Sequence, residues 1–262
     1  MTVGDVRYQG SQEAVHWEGI VLAQDTNFDS FLSESVASRL ADAEGQQTFE
    51  RDLKGLGLTG FGRDTLDAVL AARSTEERDW AAGEALAEAW LTSKHQVVWP
   101  WNMERDKRNP LASLPGADLV GFVPINDGFR LVLGEVKSSG ERNHPPQVMQ
   151  GRSGMIHQID ILAGNLQVIG QLLKWLHARC QSETFREMFA MATVTYFNSG
   201  LKAVHLFGVL IRDTEPKEAD LKARGEALAR RVAKPTQGRL IALYLPISIG
   251  TLPQRVLARK TA

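Results

Sequence analysis

Apolar residues recur along this chain in two rhythms, one helical and one strand-like, and the changes of rhythm divide it into elements. HWEGIVLAQ (16–24) predicts a strand, and NFDSFLSESVASRLADAE (27–44) predicts an amphipathic helix with Phe28, Phe31, Leu32, Val36 and Leu40 at helical spacing. The Gly-rich KGLGLTGFGRD (54–64) then interrupts; it lacks the G-K-[ST] ending of a phosphate-binding loop and reads as a connection. Ser74, followed three residues later by Glu77, makes a capping box at the head of a helix over 74–91. Beyond it QVVWPW predicts a short strand, 118–124 and 130–137 two apolar strands, and about 154–182 a long helical region. Strands at 191–197 and 203–211, a helix at about 215–232 and a strand at 239–247 complete the pattern. Strands and helices mixed in this way predict an α/β chain, an α+β sandwich rather than a bundle or an all-β barrel. A boundary near residue 75 separates a small α/β extension, residues 1–75, from a main domain, residues 76–262.

Composition narrows the function less than the distribution of charge does. A chain of 262 residues with 43% hydrophobic residues suits an ordinary globular protein. Apolar runs such as AVHLFGVLI (203–211) fall well short of the roughly 20 residues of a membrane span. Met1 is not followed by a basic-then-apolar leader, so the expected location is cytoplasmic. The single cysteine, Cys180, can make neither an internal disulfide nor a zinc cluster and reads as a small buried side chain. The net charge of -1 hides a gradient: residues 1–101 hold 8 Lys and Arg against 17 Asp and Glu, whereas 202–262 hold 12 against 5. Affinity for phosphate depends on where cations sit, so the basic end hints at nucleic acid, while any one basic run also reads as a solvated helix face.

The strands at 118–124 and 130–137 flank the sequence INDG and predict a hairpin. With Asp127 and Gly128 at the turn centre, Asp118 lies opposite Lys137, Glu135 lies diagonal to it, and Gly121 faces Gly134. Alternation then puts Asp118, Val120 and Phe122 on one face with Leu131, Leu133, Glu135 and Lys137. Three ionisable groups on an apolar strand pair need a compensating partner, because an unpaired buried charge costs several kcal/mol. A divalent cation held by two carboxylates, with water and substrate phosphate completing its shell, is one such partner.

Asp118 followed by Glu135-Val136-Lys137 at the end of a second strand resembles the PD-(D/E)XK nuclease superfamily, the restriction-endonuclease-like fold. The proline that the family places before its first acid is unmatched here, since Pro115 stands three residues before Asp118. The resemblance covers roughly residues 76–210 and implies a mixed central sheet flanked by helices, with a metal-dependent deoxyribonuclease activity that uses Mg²⁺, for which Mn²⁺ substitutes. It further implies that Asp118, Glu135 and Lys137 are catalytic, and that Glu84, on the preceding helix, joins Asp118 and Glu135 as a metal ligand. Gln158, at the start of a later helix, matches a glutamine that some exonuclease-like members turn toward the attacking water or the scissile phosphate. In size and layout the chain is similar to nuclease effector subunits of bacterial antiphage defence systems, including the Hachiman type, in which a helicase or ATPase partner controls the nuclease.

Other residues carry two readings each. Glu84 and Glu88 stand four apart on one helix face, as a carboxylate of the site with its neighbour or as a solvated stripe. Arg105, Lys107 and Arg108, just after Trp99 and Trp101, suit a nucleic-acid backbone with stacked bases, while paired tryptophans beside a strand also suit core packing. Ser138 either contacts phosphate or caps a turn, and His157 reads as a surface or satisfied core residue. The alternative to an enzyme is a catalytically silent scaffold or binding subunit, and three mutually costly groups retained on one strand pair argue against it.

Overall fold

The computed structural model describes residues 3–56, 59–60, 62–66, 79–102, 106 and 116–257. The chain opens with a hairpin of β1 (Asp5–Gln12) and β2 (Val15–Val21). Helical turns follow as α1 (Thr26–Ser30), a π-helical turn (Phe31–Val36) and α2 (Ala37–Leu40), then α3 (Ala43–Lys54) and α4 (Asp79–His95). A second hairpin joins β3 (Leu119–Ile125) to β4 (Gly128–Ser139). Helices α5 (Met155–Gly164), α6 (Leu166–His177) and α7 (Glu183–Asn198) lead to β5 (Val204–Arg212), and α8 (Lys222–Ala229) leads to β6 (Gln237–Tyr244) before α9 (Leu252–Leu257).

The strands make one sheet in the order β1, β2, β6, β5, β4, β3. β2, β6, β5 and β4 run parallel, and each edge is closed by an antiparallel hairpin partner. This is the α/β architecture the sequence predicts, a mixed sheet with helices on both faces. Every residue of β5 is buried, which is why VHLFGVLIR reads as a nearly continuous apolar run instead of an alternation. One face of the sheet buries Val132, Phe207 and Ile241 together with Phe28 and Val36 of the first helical turns and Leu86 of α4. The other buries Phe122, Leu131 and Leu240 with Ile159, Leu172 and Leu228 from α5, α6 and α8.

Residues 1–75 deliver β1 and β2 into this same sheet: β2 pairs with β6 from Val15 opposite Gly238 to Val21 opposite Tyr244. The expected boundary near residue 75, with Ser74 and Glu77, lies outside the described residues. β1 was not predicted, because as an edge strand it is mostly exposed and carries little apolar alternation. The segment 191–197, predicted as a strand, is the C-terminal half of α7. Its buried residues, Ala192 and Tyr196, are one turn apart, and the strand-favouring Val194 and Phe197 point outward, 57% and 56% exposed. Packing periodicity outweighs β propensity there. The helical region at 154–182 is broken at Asn165, whose side chain accepts from the amides of Gln167 and Val168, both at 3.1 Å, and so starts a new helix. QVVWPW contributes a single bridge, Val98 opposite Phe122. Among the described residues, no helix is long and apolar enough to cross a membrane.

Candidate active site

The hairpin turn is centred on Asn126 and Asp127, not on Asp127 and Gly128: Ile125 pairs with Gly128 and Leu119 with Gly134. Gly128 supplies the positive φ, 127°, just after the turn, whereas neither turn-centre residue has one, so the turn differs from the type I′ that Asp-Gly signals. The register therefore shifts by two residues, which preserves the faces and changes the partners. Val120, Phe122, Leu131 and Leu133 do share one buried face. Gly121, however, lies opposite Val132 rather than Gly134, and extending the ladder by one step sets Asp118 level with Glu135 rather than Lys137. Nor do the two glycines open a patch for a helix. A Cβ at Gly134 would sit 2.4 Å from the Phe207 carbonyl of β5, and one at Gly121 would sit 2.5 Å from the Val98 carbonyl.

The shift brings the two acids together. Asp118 Oδ2 accepts the Val136 amide at 2.9 Å, and the Asp118 amide donates to the Gly134 carbonyl at 3.0 Å, so the carboxylate is fixed across the strand pair. Glu135 is buried, 6% exposed, and its Oε1 receives the Lys137 ammonium at 2.5 Å. Burial pushes the Glu135 carboxyl up to about 7, the Asp118 charge pushes the same way, and Lys137 pulls against both. Two carboxyls thus meet in a poorly solvated place with one ammonium, which pairs with Glu135, and the site is left with room for further positive charge. It lies midway along the parallel strands, with Glu135 level with Gly208 of β5 and through it with Leu240 of β6, and Lys137 two residues nearer their carboxyl ends.

The other predicted residues are dispersed around this pair. Glu84 follows Gly83, whose Cα faces Ser138 so closely that a Cβ would lie 2.9 Å from the Ser138 hydroxyl. Both therefore belong to the α4 face of β4, opposite to the face of Glu135, at the same end of the strand. Among the described residues no three Asp, Glu, His or Cys side chains converge as a metal cluster, so Glu84 does not close a three-carboxylate group with Asp118 and Glu135. Gln158 is on α5, and its amide donates to the Arg152 carbonyl at 2.8 Å. The same helix crosses the acid face close by: Met155 and Ile159 crowd Gly208, the residue of β5 that pairs with Glu135. Arg105, Lys107 and Arg108 lie outside the described residues. Glu88 is buried against Arg39, and Trp101 is fully buried with its indole N–H on the Val120 carbonyl at 2.7 Å. Trp99 donates to the Thr92 hydroxyl at 2.9 Å, so both tryptophans take the packing reading.

A second group, unpredicted from sequence, anchors the chain leaving the site. Arg212, at the end of β5 and fully buried, donates to the carbonyls of Ser139 (2.8 Å), Glu141 (2.7 Å) and Asn143 (3.0 Å), stapling the loop after β4. Asp220 holds Arg212 at 3.4 Å and meets His144 Nδ1 and the Tyr244 hydroxyl, each at 2.8 Å. Its members lie up to a hundred residues apart, and no local spacing announces them. Compared with known proteins, the chain matches no family model and no curated protein.

Proposed function

We propose that this chain is a metal-dependent nuclease that hydrolyses DNA phosphodiester bonds through Asp118, Glu135 and Lys137. The observation that carries the reading is the juxtaposition of two carboxyls on adjacent strands, one of them raised to about 7 by burial and by its neighbour. Such a pair fits a hard divalent cation: Mg²⁺, or Mn²⁺ in its place, takes one or two carboxylates and leaves its other positions to water and substrate phosphate. Asp118 and Glu135 would hold the ion, which when bound supplies charge on a phosphoryl oxygen and a more acidic water.

The chain's own groups do the rest. The Val136 amide fixes the rotation of Asp118. Lys137 follows Glu135 by two positions and so projects to the same face, where its ammonium stabilises negative charge developing on the phosphate. We further propose that a helicase or ATPase partner delivers the DNA, as in an antiphage effector. The first 101 residues, with 17 acids against 8 bases, are poorly suited to gripping a polyanion unaided.

The test is cleavage of supercoiled, linear and single-stranded DNA in Mg²⁺, Mn²⁺ or EDTA, alongside calorimetric titration with Mn²⁺. Loss of substrate only with metal, reduced about a thousandfold in Glu135→Ala and Lys137→Ala, is the expected result. Cleavage that survives EDTA or both substitutions would overturn the proposal, as would a wild-type protein that binds no Mn²⁺.

A further inference from the structure

A second charged site stands at the opposite end of β4 and is independent of the reading given to the acids. Arg130 on β4, His205 on β5, Arg239 on β6 and His16 on β2 come one from each of four adjacent strands. Strand alternation puts all four on the face that carries Val132, Phe207, Ile241 and Ile20. The parallel strands begin here, and the side chains step diagonally across them, His16 level with Arg239, His205 two residues earlier and Arg130 two earlier again, with Lys234 joining from the connection before β6. Together they line a cavity of about 430 Å³ in which Glu13 is the sole acid of the lining. That volume is in the range of small-molecule pockets. Seven residues of strand separate Arg130 from Lys137, about 23 Å at the usual rise, so the two sites do not merge.

Residues that line this cavity carry buried nitrogens without partners. Arg130 Nε and Nη1 and His205 Nε2 are buried without a hydrogen-bond partner among the described residues. His205 is 8% exposed, and its ring is stacked on Phe207 at 4.5 Å and 5°, which fixes the direction of Nε2. Arg239 meets Glu18 only at 3.8 Å, beyond hydrogen-bond length. Burial, then the charges of Arg239, His95, Arg130 and His16, holds His205 down to about 3, so it stands neutral among cations. Burial also lowers Arg130. Gathering Arg130, Arg239, Lys234 and unpartnered buried nitrogens around one acid of the lining, with Glu18 only at 3.8 Å from Arg239, is costly, and an oxyanion among them lowers that cost.

We propose that this cavity binds a phosphate dianion, free or carried by a mononucleotide, gripped by the guanidinium groups of Arg130 and Arg239 with His205 donating from Nε2. The planar guanidinium fork matches phosphate oxygens two at a time. The test is calorimetric titration of the full chain with inorganic phosphate, with a nucleoside monophosphate and with the unphosphorylated nucleoside, at ionic strength fixed by chloride. Phosphate or the monophosphate binds with one-to-one stoichiometry, the nucleoside does not, and Arg130→Gln and Arg239→Gln each weaken binding at least about tenfold, the worth of one charge-assisted hydrogen bond. Equal affinity for the two phosphates assigns the free ion, and a tighter monophosphate assigns the nucleotide. Thermal unfolding separates this role from a structural one: without phosphate, Arg130→Gln melts no lower than the wild type, since its buried donors have no partner to lose, and phosphate no longer raises its Tm. Absence of phosphate and monophosphate binding to the wild type, binding that survives both substitutions, or equal binding of the bare nucleoside would overturn the proposal.

Discussion

Glu135 and Asp220 are both buried carboxylic acids, one midway along the parallel strands and one in the connection after β5, and their surroundings differ in sign. Asp220, with no exposed surface, is met by the Arg212 guanidinium, His144 and the Tyr244 hydroxyl, and Tyr244 is itself backed by the Tyr8 hydroxyl at 2.9 Å. Glu135 is met by one ammonium and a second acid. The first arrangement is matched in charge and serves to hold the loop that follows β4. The second is left wanting a cation, which a purely structural acid on a buried strand would not be.

The sharpest way to break this comparison is to remove each acid in turn and measure urea unfolding at pH 8. Asp220→Ala should lose about 4 kcal/mol, because it strands Arg212 in a fully buried place and loosens its hold on the loop. Glu135→Gln should lose nothing and gain if anything, because it removes one of two facing carboxylates and keeps the shape. Equal losses at the two positions would mean that Glu135 is a structural acid like Asp220.

The dependence on pH carries the same contrast at a smaller scale. Below pH 4.5 the Glu135 carboxyl is protonated in folded and unfolded chains alike. As the pH rises, the unfolded chain releases that proton near the ordinary value of 4.5, while the folded chain keeps it until about 7. Folded stability therefore falls through this window, by up to about 3 kcal/mol at its upper end. The difference between wild type and Glu135→Gln isolates this effect from other acids, and a difference that is flat between pH 4.5 and 7 would remove the frustration attributed to the site.

How much of this was legible beforehand depended on sequence distance. The acid face was readable because Asp118, Glu135 and Lys137 fall within one hairpin, where a period of two assigns faces whatever the exact turn. Their partners were not readable: Asn126-Asp127 and Asp127-Gly128 are competing turn centres one residue apart, and the choice moves every pair by two. The α/β class followed from β5 and β6, whose apolar runs need burial on both faces. Helix α7 was misread because Thr193, Val194, Thr195 and Phe197 favour strands locally, while the spacing of Ala192 and Tyr196 decides the packing. The Arg212 and Asp220 network and the basic cavity are each assembled from several elements, one or two residues at a time. Only the fold brings them together.

The finest distinction concerns Glu84, which the family resemblance places with the metal ligands and the geometry sets on the other face of β4 beside Ser138. Titration with Mn²⁺ should be abolished by Asp118→Asn and by Glu135→Gln. Glu84→Gln should weaken it only a few-fold, because a carboxylate acting on a divalent ion from the other face of β4, across high-dielectric surroundings, contributes about 1 kcal/mol or less. A tenfold or greater loss in Glu84→Gln would instead mean that α4 closes on the strand end when the ion binds. The two faces of β4 would then meet at its tip, with Gly83 as the residue that lets the helix come close enough.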